Sequence, residues 1–139
     1  MANFFEKSFI QMHVNVYRWS GGRVMGSVGG TPVLLLTTTG RKSGRQRTTP
    51  LGYFADGQDY IVVASNGGRP TRPAWYLNLS HTPLVTIQVK DRVMGANAVS
   101  VSEGERTALW QQITAAAPAY APYAAPDRAV PLVRLRVIG

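Results

Sequence analysis

The chain has 139 residues, 45% hydrophobic and 16% charged, which suits one folded domain and is too apolar for a disordered chain. It has no cysteine, so disulfide scaffolds, zinc–thiolate sites, iron–sulfur clusters and a cysteine nucleophile are excluded. Fifteen Lys+Arg against seven Asp+Glu give a net charge of +8, so the expected partner is anionic: nucleic acid, membrane headgroups, or a phosphorylated or polycarboxylate ligand.

Residues 3–19 read as an amphipathic helix. Phe5, Phe9, Met12, Val16 and Trp19 recur at spacings of 4 and 3, and Lys7, Gln11, Asn15 and Arg18 mark the opposing face. The expectation is that the apolar stripe docks on the rest of the domain, with contact to a membrane surface as the alternative. A glycine-rich break follows, from Gly21 to Gly30.

Strands come next. Val33–Thr39 is a compact apolar run rich in β-branched residues, Gln46–Phe54 a second candidate and Tyr60–Ser65 a third. Asp56-Gly57 between the last two is a hairpin signal. Pro73–Leu79 predicts a short helix, with proline in its first turn. Leu84–Lys90 alternates, with Val85, Ile87 and Val89 on one face, and Asp91-Arg92 joins it to a strand near Val93–Val101. Ser102 and Glu105 form a capping box for a helix from about Glu103 to Ala117, with Leu109, Trp110 and Ile113 as its buried stripe. Residues 117–127 are too proline-rich for a long helix, and Leu132–Val137 closes the chain as a strand. Hairpins dominate and no βαβ unit repeats, so the pattern favours an α+β fold on a small closed or partly closed antiparallel barrel.

No run of 18 apolar residues is present, and the N-terminus lacks a basic segment followed by an apolar one, so neither a membrane-spanning helix nor a secretory leader is expected. A cytoplasmic protein is expected, with 1–20 as the candidate membrane contact.

Chemistry concentrates at a few places. Gly40-Arg41-Lys42-Ser43-Gly44-Arg45-Gln46-Arg47 lies between two strands and carries four cations. Glycines let backbone N–H groups turn toward an anion, and Arg and Lys add charge-assisted bonds. One cation beside an anionic oxygen is worth about 1 kcal/mol in water and about 4 kcal/mol at an effective dielectric of 20. Four in seven residues exceed what a solvated turn needs. The chain has neither G-x-x-x-x-G-K-[ST] nor G-x-G-x-x-G, which argues against a nucleotide triphosphatase or a Rossmann dehydrogenase.

A second feature runs from Ala64 to Tyr76, where a strand end, the glycine loop Asn66-Gly67-Gly68 and a helix start meet. Trp75 and Tyr76 could pack on an aromatic ring, although Trp75 with Leu79 four residues on reads better as core. Tyr120 and Tyr123 stand on a loop where they could close a pocket and offer hydroxyl donors. His13 and His81 stand alone, and His13 reads as structural. No metal-ligand constellation, paired-carboxylate site or G-x-S-x-G is present, so an enzyme here must rely on an organic cofactor.

Residues 34–54 (LLLTTTGRKSGRQRTTPLGYF) and 62–79 (VVASNGGRPTRPAWYLNL) together resemble the deazaflavin-dependent nitroreductase family of actinobacteria, from about Tyr17 to Pro131. The resemblance implies one domain over 1–139: an antiparallel split β-barrel of the FMN-binding type, with an N-terminal helix over 1–20, and barrel and two further helices over 32–139. It implies coenzyme F420, an 8-hydroxy-5-deazaflavin with a phosphate and a glutamate tail. Arg41, Lys42, Ser43 and Arg47 would then hold phosphate and tail, and Asn78 would add a polar contact. Val63, Ala64, Ser65 and Asn66 would follow the ring edge, and Pro73, Ala74, Trp75 and Tyr76 would border ring and ribityl chain. Tyr120 and Tyr123 match tyrosines of a substrate pocket, and Ser65 or one of them would polarise or protonate the acceptor. Asn66 stands where some relatives have lysine, Ala74 where a bulkier side chain can occur, and Ala117 near the place of another pocket tyrosine. The implied reaction is hydride transfer to a quinone, an activated enone or a nitro-compound. A non-catalytic nucleic-acid-binding barrel and an FMN-binding split barrel are the alternatives.

Overall fold

The computed structural model describes residues 4–22, 26–28, 30–124 and 130–138; for 4–9, 28 and 124 the backbone alone is described. The elements are α1 (Phe4–Ser20), β1 (Ser27–Val28), β2 (Thr31–Thr39), β3 (Gln46–Gly52), β4 (Phe54–Asp56), β5 (Asp59–Val63), α2 (Ala74–His81), β6 (Leu84–Val89), β7 (Arg92–Ser100), α3 (Glu103–Ala116) and β8 (Leu132–Val137). Short 3-10 turns cover Asn66–Gly68 and Pro118–Ala124. All described pairings are antiparallel, in the order β1-β2-β6-β7-β8-β5-β4, with β3 on the free side of β2. The expected α+β half-barrel with three helices is present.

The apolar run in β2 is continuous because both of its faces are covered. Leu34 and Leu36 enter the main core with Val62, Val85, Ile87 and Leu135. Val33 and Leu35 face outward and pack under α1 against Val14 and Tyr17. β6 alternates as expected, with Val85, Ile87 and Val89 buried. A second apolar cluster lies outside β5 and β8, where Leu109, Trp110 and Ile113 of α3 cover Ile61, Val63 and Leu132. The helix start follows the capping box: the Glu105 N–H donates to the Ser102 Oγ at 3.3 Å.

Two expectations change. The expected strand Gln46–Phe54 divides at Tyr53, whose N–H donates to the Pro32 carbonyl at 2.9 Å while its ring turns into the core. The chain there leaves β2 and goes on to pair with β5, which is how the sheet curls. The second change is the buried face of α1. Ile10, His13, Val14 and Tyr17 face inward, whereas Met12 is 48% and Trp19 85% exposed. The side chains of Phe5, Lys7 and Phe9 lie outside the described residues. Tyr17 wins the inward position because its hydroxyl has partners there. It accepts from the Lys90 N–H at 2.7 Å and donates to the Gln88 carbonyl at 3.3 Å.

Arg134 on β8 is the main buried charge. Its guanidinium meets Asp59 at 3.1 Å, Asp56 at 2.9 Å and Glu105 at 2.8 Å. Burial opposes its charged form, but the hydrogen bonds to Asp56 and Asp59 and the charges of Glu105 and Asp56 outweigh that and raise its pKa. The knot ties the β4–β5 turn, β8 and the start of α3 together.

Tyr17 generates a stability prediction. Tyr17→Phe leaves the Lys90 N–H without its acceptor and should cost about 1–2 kcal/mol in denaturant unfolding. Burial raises the Tyr17 pKa above 10.0, against the lowering by the Lys90 hydrogen bond. The folded state therefore holds this proton to higher pH than the unfolded state, and wild-type stability falls as pH climbs beyond about 10. The variant should show a shallower alkaline decline, and an identical slope would contradict this role for Tyr17.

Candidate functional site

The β2–β3 connection, residues 40–45, is a tight turn. The Gly40 N–H donates to the Arg45 carbonyl at 2.7 Å and the Gly44 N–H to the Gly40 carbonyl at 2.8 Å. A Cβ on Gly40 would lie 2.7 Å from the Ser43 Oγ and 3.2 Å from the Arg45 carbonyl oxygen, so a side chain there would displace Ser43. The turn is pinned by Asn78 of α2, which is 4% exposed. Its Oδ1 accepts from the Arg41 N–H at 3.2 Å and from the Arg41 Nη1 at 3.1 Å. Its Nδ2 donates to the Thr38 Oγ1 at 3.3 Å. One buried amide thus fixes the backbone and the guanidinium of the first cation.

Beside this turn opens a cavity of about 670 Å³. Arg41, Lys42 and Arg47 line it, together with Ser43, and among the described residues no carboxylate does. Ala74, Trp75 and Asn78 form the α2 side. Trp75 does two jobs, since it is also buried in the main core with Leu79. Sequence reasoning missed the remaining lining: Thr38, Gln46, Thr48 and Thr49 from the strands, and Ile10 and Gln11 from α1. The only signal for the strand residues was the threonine density around the turn. None pointed to α1, although Arg18 reaches across to the Thr48 Oγ1 at 3.1 Å, which in turn meets the Thr37 Oγ1 at 2.8 Å.

Ala64, Ser65 and Tyr123 share a separate cleft of about 40 Å³ with Arg69 and Arg72. Asn66 leaves β5 in a left-handed conformation (φ 52°), and its Nδ2 donates to the Thr71 carbonyl at 2.9 Å. Pro73 sits one residue before α2 rather than inside it. Tyr76 meets the Trp75 ring edge-on, with centroids 6.3 Å apart. Val63 is buried under α3.

Tyr120 belongs to a third cavity of about 520 Å³, walled by Val33, Pro50, Ala116, Ala117 and Pro118, with His13 from α1. Its ring stacks edge-on with Phe54 at 5.6 Å and with Tyr123 at 5.8 Å. Burial, with Tyr123 beside it, raises the Tyr120 pKa, so the group stays a neutral hydroxyl donor at physiological pH. Seven of the expected residues therefore share the cationic cavity, while Ser65 and Tyr123, and then Tyr120, stand at neighbouring clefts.

Comparison with known proteins places this arrangement in a family. Residues 9–136 match the F420H(2)-dependent quinone reductase family. The F420H(2)-dependent quinone reductase Rv1261c of Mycobacterium tuberculosis is 41% identical over 105 residues, covering 73% of this chain and 70% of the relative. Among solved structures, an F420-H2 dependent reductase (FDR-A) is 37% identical with a TM-score of 0.68, over 76% of this chain and 94% of that one. A chain solved as a domain-swapped dimer is 32% identical with a TM-score of 0.69, over 91% and 94%. The chain belongs to the F420H(2)-dependent quinone reductase family, a family of oxidoreductases that use F420.

The Asn78 clamp is directly testable. Asn78→Ala leaves the Arg41 N–H and the Thr38 hydroxyl without their partner and should cost about 1–2 kcal/mol. Amide exchange at Arg41 should accelerate while that of Ile87 in the core does not; equal protection in both proteins would show that the turn holds itself.

Proposed function

We propose that this chain holds reduced F420 with its anionic end in the cationic cavity and passes a hydride to a quinone at the tyrosine clefts. The observation that carries the reading is a cavity lined by three cations and, among the described residues, no carboxylate. The coenzyme's phosphate and glutamate tail suit that lining, and its aromatic head suits Trp75 and the α2 wall. Bound there, the coenzyme supplies a hydride from C5 of its ring. The protein's own work is orientation and exclusion of water. Arg41, Lys42, Ser43 and Arg47 hold the anionic groups, and Asn78 keeps Arg41 aimed at them. Val63–Asn66 follow the ring edge toward the 40 Å³ cleft, and Pro73–Tyr76 border the ring. Tyr120, kept protonated by burial, donates a hydrogen bond to an acceptor carbonyl, with Ser65 and Tyr123 alongside. Quinones fit best, because the family and its relatives carry that name; enones and nitro-compounds share the electron deficiency. The whole chain, 1–139, acts as one unit in this reading.

A separate observation favours contact with a lipid surface. No described helix is long and apolar enough to cross a membrane. Yet α1 turns Met12 and Trp19 outward, at 48% and 85% exposure, beside Arg18. An amphipathic helix with outward apolar residues and a basic neighbour lies flat at a headgroup boundary.

Binding measurements test these readings. Lys42→Ala with Arg47→Ala should weaken coenzyme binding about 30-fold, from about 1 kcal/mol per cation, and flatten its salt dependence. Fluorescence titration with oxidised F420 reads this; an unchanged Kd would leave the turn as solvated surface. FMN, with one phosphate and no tail, should bind more weakly, and equal affinity would favour the FMN-type reading. Tight, salt-sensitive nucleic-acid binding without coenzyme binding would favour the non-catalytic one. For the lipid contact, co-sedimentation with vesicles containing phosphatidylserine should drop several-fold in Trp19→Ser. Equal recovery of both proteins would remove that contact.

A further inference from the structure

His13 has no place in the mechanism above, yet it is a buried titratable side chain at the acceptor's cavity. It is 5% exposed, on the inward face of α1 between Ile10 and Tyr17. In the cavity of about 520 Å³, His13 and Tyr120 are the titratable groups, and the rest of the lining is aliphatic, glycine, proline or threonine. This cavity neighbours the cationic one along α1, where Ile10 and Gln11 line one and His13, on the next turn, lines the other. An acceptor seated beside Tyr120 in this cavity therefore lies under the turn of α1 that carries His13.

We propose that His13 is a catalytic residue, the acid that protonates the quinone oxygen during reduction; this rests on the quinone-reductase reading above. The balance needs such a group. The acceptor takes a hydride from the coenzyme, one proton with two electrons, and the electron pair it gains appears as an oxyanion on the carbonyl oxygen. A second proton completes the hydroquinone. The N–H bond of the His13 imidazolium breaks, an O–H bond forms, and the neutral imidazole is reprotonated from water as product leaves. Tyr120 is a poor source of that proton, because burial makes its hydroxyl less acidic. Histidine is the side-chain type that exchanges protons near neutrality. Arg69 and Arg72 lie at the other cleft.

The test uses menadione as acceptor and the full chain. His13→Gln keeps size and hydrogen-bonding capacity, so it should fold, bind F420 with unchanged Kd and lose about 100-fold in kcat with little change in KM. Added imidazole should restore part of the rate. The solvent deuterium isotope effect on kcat should rise in the variant as proton delivery becomes limiting. A variant with wild-type kcat would overturn the proposal. If His13→Gln fails to fold, His13→Asn and a measurement on the wild-type protein replace it. The chain has two histidines, and His81 is exposed. Menadione added without coenzyme should shift the His13 imidazole NMR signals and leave those of His81 in place; unmoved His13 signals would overturn the assignment. A wild-type protein that binds F420 and does not reduce menadione would instead bring down the underlying quinone reading.

Discussion

The bond network at Asn78 is the constraint on which the site depends. Three cations crowded round one cavity repel one another, and an isolated turn of that composition would spread its side chains into water. Here the amide of α2 reaches the Arg41 backbone and guanidinium, and Thr38 on β2 fixes the amide in turn. Asn78 and Thr38 are buried, so breaking the bond between them would leave both groups unpaired in a water-poor place. The Arg41 charge is thus set in position before any ligand arrives, and binding need not include the cost of ordering it.

β2 carries this arrangement into the rest of the protein. Its inner leucines belong to the barrel core and its outer Val33 and Leu35 to the contact with α1. The same strand leads into the cationic turn and forms part of the acceptor cavity through Val33. A substitution on its outer face would disturb the seat of α1, and with it both cavities that α1 borders. That is why a helix with no recognisable motif still belongs to the site.

Much of the fold could be read from residue order. Alternation in β6, the capping box of α3 and the two-faced burial of β2 each left a plain pattern. The cationic turn was legible too, because its charges interrupt apolar strands. The inward face of α1 was not. Its apolar residues form more than one stripe, and the choice fell to Tyr17, whose hydroxyl partners lie more than seventy positions away. The corner at Tyr53 was hidden for the same reason, as its acceptor is Pro32 on another strand. Thr38, Thr48 and Thr49 went unnoticed as pocket lining because a neutral strand residue looks alike whether it faces solvent or a cleft. Ile10 and Gln11 required a helix position that only packing decides.

The knot around Arg134 has a consequence for how the protein meets a ligand in solution. It gathers three of the chain's seven acidic side chains, and β6 and β7 separate its strand from β2. The knot carries three negative charges against one positive, whereas the β2–β3 turn carries four cations. An approaching polyanion is drawn to the four-cation turn more strongly than to the knot. Encounter rates should therefore be fast in dilute buffer and slow markedly as ionic strength rises.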